Sequence, residues 1–275
     1  MKGRKESVAD EKALAKPDGT LAVDKLRYII PSVAASVRVL QYLSQSKHQN
    51  ASLTQISQEL GLNRSTTYRI LTTLQMENIV EYDDRERGYR LGPELAVLGA
   101  RAVSFSSFLH RAEELINRIA EQTQNTTLLV QRVSRDKIGY VLKAEPDAPI
   151  HISAVAGQVI PITAGSHGKV FMAFMDSEER EALLKAWGLP NYTPRSIHDE
   201  AAFYVELERV RKTHIAVSWE EHFPGICGVA VPVFRNGSDH VIATVTTIAM
   251  TAATTPEQLE QWGELIKSAI AKELG

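Results

Sequence analysis

From Pro31 the chain becomes periodic. Val33, Val37 and Leu40, with Tyr42 and Leu43, recur at three- and four-residue intervals and predict a helix that buries this stripe. In "SLTQISQELGLN", Ser52 or Thr54 can accept a backbone N–H at a helix start, and Gly61 can close that helix in a left-handed conformation. The helix between them is barely two turns. Asn63 is placed to cap the next helix, in which Thr67, Ile70, Leu71 and Leu74 fall at i, i+3, i+4 and i+7 and form the inside face. The opposite side carries Arg64, Ser65, Thr66, Tyr68, Arg69 and Thr72, hydroxyls and guanidiniums directed at solvent or at a partner. "IVEYDD" and "YRLG", joined by "RERG" with Gly88 supplying turn freedom, predict a β-hairpin, or wing.

Beyond Pro93 the pattern narrows. Leu95, Leu98, Ala102 and Phe105 recur with 3, 4, 3 spacing, a seam of the kind helices use to pair, so residues 93–106 read as a linker helix that dimerises. A helix near 109–122 places Ala112, Leu115, Ile116 and Ile119 on one face against a sheet. Strand-like runs follow in "TTLLVQRV", "KIGYVLKA", "IHISAV" and "QVIPIT", then helices near 168–187 and 199–213. "CGVAVPVFRNGSDHVIATVTTI" predicts a long hairpin with Asn236-Gly237 at its turn and Pro232 at an edge or bulge. Thr255, Pro256 and Gln258 form a capping-box start for a last helix.

These elements predict a mixed architecture. A winged helix-turn-helix over 29–92 precedes an α+β domain over 107–275, whose antiparallel sheet is faced by helices in a GAF-like arrangement. Residues 1–28 are charge-rich, are interrupted by Pro17 and Gly19, and read as a disordered leader. A length of 275 residues suits two domains, and no apolar run is long enough to cross a bilayer, so no membrane partner is expected. The first residues lack the apolar centre of a secretory signal, and one cysteine, Cys227, excludes an internal disulfide or a thiolate zinc cluster; the expected location is cytoplasmic. The net charge of −2 conceals an asymmetry. Residues 1–92 hold 14 Lys and Arg against 11 Asp and Glu, whereas the remainder holds 17 against 22. That excess is too small to establish nucleic-acid binding without the local pattern.

The pattern supplies the missing argument. A helix, a Gly-containing turn, a second helix and a hairpin are the parts of a winged helix-turn-helix, whose second helix enters the major groove of double-stranded DNA. Arg64 and Arg69 can fork onto guanine edges or bind phosphate, Ser65 and Thr72 can bond bases or phosphate, and Tyr68 offers a ring and a donor. Arg85, Arg87 and Arg90 of the wing can reach the flanking backbone. The plainer alternative is that this face only solvates a small helical bundle, in a ligand-binding protein without DNA affinity. "SVAASVRVLQYLS", "LTQISQELGLNRSTTYRILTTLQ", "YRLGPELAVLG", "VIPITAGSHGKVFMAF" and "EEHFPGICGVAVPVF" stand in an order and spacing that resemble the IclR-type transcriptional regulators, from about residue 31 to the carboxyl end. The resemblance implies a ligand-responsive regulator, acting as a homodimer or tetramer on a pseudo-palindromic operator.

In the second domain "TAGSHGKVF" brings a strand into a helix start, where backbone N–H groups converge and anions bind. It is not a Walker loop, because Thr163 stands where the first glycine is required and Val170 follows Lys169. Ala164, Ser166 and Gly168 form a variant nucleophile elbow, with Asp199 and His214 or His222 downstream, so an esterase is the rival reading. Antiparallel surroundings and the lack of an HGG-type segment count against it, and no catalytic residue, metal or cofactor is assigned. Glu220, Glu221 and His222 do not form a metal cluster if they lie on a strand, where neighbours point to opposite faces. The resemblance implies that this loop walls an effector pocket lined by Ile162, Ser166, His167, Gly168, Ser218, Ile226, Gly228 and Thr246. Relatives often carry an acid before "EEH" and a cysteine at the position of Gly228, and this chain has Ser218-Trp219 and a displaced Cys227. Losing the carboxylate and gaining His167 implies a larger aromatic or carboxylated effector. For His167 the competing role is a helix cap, for Lys169 an ion pair with Glu220 or Glu221, and for Trp219 a place in the core.

Overall fold

Ser52 and Asn63 start the two helices on which the first unit is built. The computed structural model describes residues 28–45, 48, 50–189 and 191–274, so all but Tyr28 of the expected leader lies outside the described residues. The chain divides into two units, Met1–Ala102 and Val103–Gly275.

In the first unit α1 (Pro31–Leu43), α2 (Leu53–Glu59) and α3 (Arg64–Met76) precede the strands β1 (Val80–Asp83) and β2 (Gly88–Leu91). Ser52 caps α2 through a reciprocal capping box with Gln55, and Gly61 follows with φ +61°. Asn63 caps α3 by accepting the Ser65 N–H at 2.9 Å. Thr67, Ile70 and Leu71 of α3 are buried as expected, with Leu74 packed against the same core. The stripe expected on α1 is corrected only in its first turns: Leu40, Tyr42 and Leu43 pack in the core as expected, joined by Ala35 and Val39, whereas Val33 and Val37 are 56% and 47% exposed. Val33 and Val37 share the helical period with Ala35 and Val39, so periodicity cannot choose between them; packing against Ile56 and Leu71 does. The wing pairs Val80 with Leu91 through Asp83 with Gly88, and Ala51 adds a bridge to Tyr89. Gly88 plays another part than the one expected. The left-handed residue of the turn is Arg87, with φ +52°, and a Cβ on Gly88 would stand 2.8 Å from the backbone of Asn50.

The helix α4 (Glu94–Ser104) has no buried residue. Leu95 is half-buried, Leu98 and Ala102 are exposed, and Phe105 lies just past the helix end, fully displayed. The division between units falls inside this helix rather than at its ends.

The second unit holds six antiparallel strands, β3 (Thr126–Arg132), β4 (Lys137–Ala144), β5 (Val159–Pro161), β6 (Ala216–Trp219), β7 (Ile226–Phe234) and β8 (Val241–Met250), in the order β5-β4-β3-β8-β7-β6. Helices cover both faces. On one, α5 (Ser107–Thr123) and α9 (Pro256–Glu273) enclose Leu115, Ile116, Ile119, Leu129, Val231 and Ile266. On the other, α6 (Gly165–Phe174), α7 (Ser177–Trp187) and α8 (Glu200–Thr213) enclose Leu128, Val130, Met172 and Leu207. Burial on both sides explains why β3 carries three adjacent apolar residues, Leu128, Leu129 and Val130, instead of an alternation. The helix expected over 168–187 is two helices separated at Met175 and Asp176. "IHISAV" is irregular rather than a strand. Pro232 sits where β7 runs beyond the end of β6 and has only β8 as a neighbour, so its missing N–H disrupts no ladder.

Candidate functional site

In the first unit, α3 turns one side to the core and the other outward. Arg64, Ser65, Thr66, Tyr68 and Arg69 are exposed, Tyr68 to 55%, while Thr72 is half-buried at the margin. No acidic residue occurs in this helix, so its two guanidiniums act without a local counter-charge. Ser65 is engaged at the helix start. Its hydroxyl already donates to Asn63 Oδ1 at 2.9 Å, which leaves it an acceptor. On the wing, Arg90 is held by Glu81 at 2.9 Å and Asp83 at 3.5 Å, so it braces the hairpin, whereas Arg85 and Arg87 are exposed at its tip. Backbone N–H groups of Glu86 and Arg85 hold the Asp83 carboxyl below its usual range and tighten the turn.

The second unit contains a cavity of about 270 Å³ between α6, the sheet and two loops. Its floor follows from strand register: Ser218, Gly228 and Ile248 are successive partners across β6, β7 and β8. A Cβ on Gly228 would stand 3.5 Å from Ser166 Oγ and 3.1 Å from Thr247 O, so the glycine keeps the floor open. Gly165, Ser166 and His167 enter from the start of α6, and Tyr140 from β4. The loop over 152–158 contributes Ile152, Ser153, Ala154 and Gln158, and the loop over 220–225 contributes His222 and Phe223. The second loop is clamped. Ser196 Oγ donates to Glu221 O at 2.7 Å, Thr193 Oγ1 donates to Glu220 O, and Glu220 adopts φ +57°. Glu220, Glu221 and His222 therefore belong to an irregular loop, not to the strand on which the sequence argument placed them.

Of the expected lining, Ser166, His167, Ser218, Ile226 and Gly228 meet at this cavity. Three do not. Ile162 is buried in the core beneath α6. Gly168 serves close approach, because a Cβ there would stand 2.2 Å from Ile162 O. Thr246 lies one like-facing position along β8, opposite Ala230 instead of Gly228, and its hydroxyl meets Thr244 Oγ1 at 3.2 Å. Missed in the sequence were Tyr140, Ile152, Ser153, Ala154, Gln158, His222, Phe223 and Ile248. Tyr140, a polar-tipped aromatic in a strand pattern, carried a usable signal; the loop residues carried none.

Cys227 turns its side chain to the opposite core, with Sγ 3.5 Å from Ala249 O, and burial pushes the thiol up to about 11. Trp219 packs on that same core. Lys169, only 4% exposed, donates to Glu221 at 2.6 Å, Val217 O at 2.8 Å and Glu206 at 3.2 Å; its acidic neighbours are thus Glu221 and Glu206, not Glu220. His167 caps nothing, since neither ring nitrogen has a partner among the described residues. The groups of the esterase reading are dispersed. Asp199 Oδ2 caps α8 by accepting the Ala202 N–H at 2.7 Å, His214 packs between Phe174 and Phe234, and only His222 shares the cavity with Ser166.

An outward basic helix with a wing, and a separate α+β domain holding a small-molecule cavity, define a DNA-binding transcriptional regulator. A model described as the IclR helix-turn-helix domain matches residues 32–84, and one described as the bacterial transcriptional regulator IclR C-terminal domain matches residues 100–273. The chain belongs to the IclR family of bacterial transcriptional regulators. A solved IclR transcriptional regulator from Alicyclobacillus acidocaldarius is 36% identical, with a TM-score of 0.83, covering 89% of this chain and 98% of that one. The HTH-type transcriptional regulator XynR of Escherichia coli is 27% identical over 241 residues, 88% of this chain and 94% of the relative. KdgR of the same organism is 27% identical over 251 residues, 91% and 94% of the two chains. No helix among the described residues is long and apolar enough to cross a membrane.

Proposed function

We propose that this chain is a cytoplasmic, ligand-responsive regulator that acts by binding rather than catalysis, with two copies seated on a pseudo-palindromic operator. The observation that carries the reading is the outward face of α3, where Arg64, Tyr68 and Arg69 stand exposed over a buried Thr67, Ile70 and Leu71. Side chains backed in this way are held rigidly enough to read a groove. The exposed Leu98 and Ala102 of α4 beside the half-buried Leu95, with Phe105 just past its end and the outward Val33 and Val37 of α1, support pairing with a second copy.

The cavity, lined by Tyr140, Phe223, His167 and His222, suits an aromatic or carboxylated effector. Such a ligand acts by population shift: it favours one dimer geometry, and half-site spacing on DNA makes that geometry legible. Replacing Arg69 by Ala is expected to weaken operator binding by at least about 1 kcal/mol, read by gel retardation. Selection of bound genomic fragments, with and without a metabolite panel, tests the whole reading. Retention of a few fragments, reversed by particular metabolites and weakening steeply with salt, is expected. Failure to retain any fragment would favour a ligand-binding protein without DNA affinity.

A further inference from the structure

Ser65 stands exposed in the first turn of α3, one turn before Tyr68 and Arg69 on the outward side. Its backbone N–H donates to Asn63 Oδ1 at 2.9 Å, and its hydroxyl donates to the same atom at 2.9 Å. The backbone bond fixes which end of the Asn63 amide is turned toward the helix. An N–H only donates, so the atom it meets is the carbonyl oxygen, and that oxygen only accepts. The Ser65 proton is therefore committed to the cap. What the hydroxyl presents to a partner is oxygen lone pairs.

This polarity sets Ser65 apart from its neighbours. Arg64 and Arg69 are donors only, and the hydroxyls of Thr66 and Tyr68 can turn either way. Thr67 and Thr73 also commit their protons, to Asn63 O at 3.1 Å and Arg69 O at 2.8 Å. Thr67, however, is buried, and Thr73 lies roughly two turns farther along the helix. No carboxylate occurs in α3, so the fixed acceptor of its first turn is Ser65.

A recognition helix of this fold brings its first turn to the base edges. In the major groove guanine shows the acceptors N7 and O6, and thymine the acceptor O4; adenine N6 and cytosine N4 are amines that donate. Phosphate oxygens only accept. Facing O6, O4, N7 or a phosphate, Ser65 would set lone pair against lone pair, or give up its bond to the cap while water leaves the interface. Facing an exocyclic amine, it gains a hydrogen bond and leaves the cap intact. We propose that Ser65 accepts a hydrogen bond from the exocyclic amine of an adenine or cytosine in the operator, and makes no phosphate contact. This inference rests on the outward side of α3 reading DNA.

Selection from a randomised duplex library by the full chain, and then by Ser65→Ala, locates the contact. At least one base pair that the parent fixes is expected to become free in the variant, while the dependence of affinity on salt stays as in the parent. The backbone N–H of position 65 still meets Asn63, so the helix-loss midpoint of the first unit is expected to hold. Single-atom changes at the freed pair then identify the group. Removing its amine, with purine in place of adenine or pyrimidinone in place of cytosine, is expected to cost the parent at least about fivefold in affinity and Ser65→Ala nothing. Removing N7 of its purine is expected to affect both proteins alike. No freed pair, a shallower salt dependence in the variant, an amine deletion that costs both proteins equally, or an N7 deletion that costs the parent alone would each overturn the assignment. Failure of the reading beneath it shows separately, as a parent chain that enriches no sequence from the library.

Discussion

Replacing Lys169 by Met is expected to destabilise the second unit by about 3–5 kcal/mol, the cost of breaking a buried ion pair from one side. The ammonium is nearly inaccessible and lies between two carboxylates and a carbonyl. The two acids would respond differently. Burial works to raise the Glu206 carboxyl, yet Arg209 and Lys169 together hold it below its ordinary value, and Arg209 would remain at 2.8 Å. Glu221 is already raised by burial, which Lys169 only partly offsets, and it would lose its close ion-pair partner. Glu221→Gln in the Lys169→Met background should therefore recover part of the loss. All three tryptophans, Trp187, Trp219 and Trp262, lie in this unit, so their fluorescence during urea unfolding isolates its transition. The defect would also loosen the loop that brings His222 and Phe223 to the cavity. An unchanged midpoint would mean that the charges are solvated well enough to dispense with one another.

Leu71→Ala is expected to cost the first unit about 2–5 kcal/mol, the range for removing a large aliphatic side chain from a packed core. Leu71 is fully buried and packs in a small cluster with Val39, Ile56 and Ile70. A domain of this size commands only about 5–15 kcal/mol in total, so the loss is a large share. The first unit has no tryptophan, and far-ultraviolet circular dichroism is the appropriate probe. The expected result is an early helix-loss transition with the tryptophan transition unmoved. DNA affinity should fall with it, because the same helix carries its inward and outward faces as one rigid body.

Local chemistry made most of the first unit legible. Ser52, Asn63 and Gly61 punctuate helices through backbone bonds that a few neighbouring residues determine, and the inside face of α3 follows from its spacing. The α1 stripe was legible only in its second half, Leu40, Tyr42 and Leu43; in the first turns two apolar faces have the same period and only the third dimension selects Ala35 and Val39 over Val33 and Val37. In the cavity, Ser218 and Gly228 were reached through the family resemblance and not through periodicity; they face one another across β6 and β7. Thr246 was misplaced by one like-facing position, a matter of register that one strand's sequence does not encode. Loop residues such as Ile152 and Phe223 are held at the cavity by long-range bonds with no periodic trace, Thr126 Oγ1 donating to Ile152 O and Ser196 Oγ to Glu221 O in the loop that carries Phe223.

Gel retardation of a genomically selected fragment shows whether the outward side of α3 reads DNA. The parent chain is compared with a variant carrying both Arg64→Ala and Arg69→Ala, each exposed position chosen to leave the fold intact. The variant is expected to lose at least about tenfold in affinity, with a shallower dependence on salt. Equal retardation by the two proteins at every salt concentration would show that this face does not touch DNA.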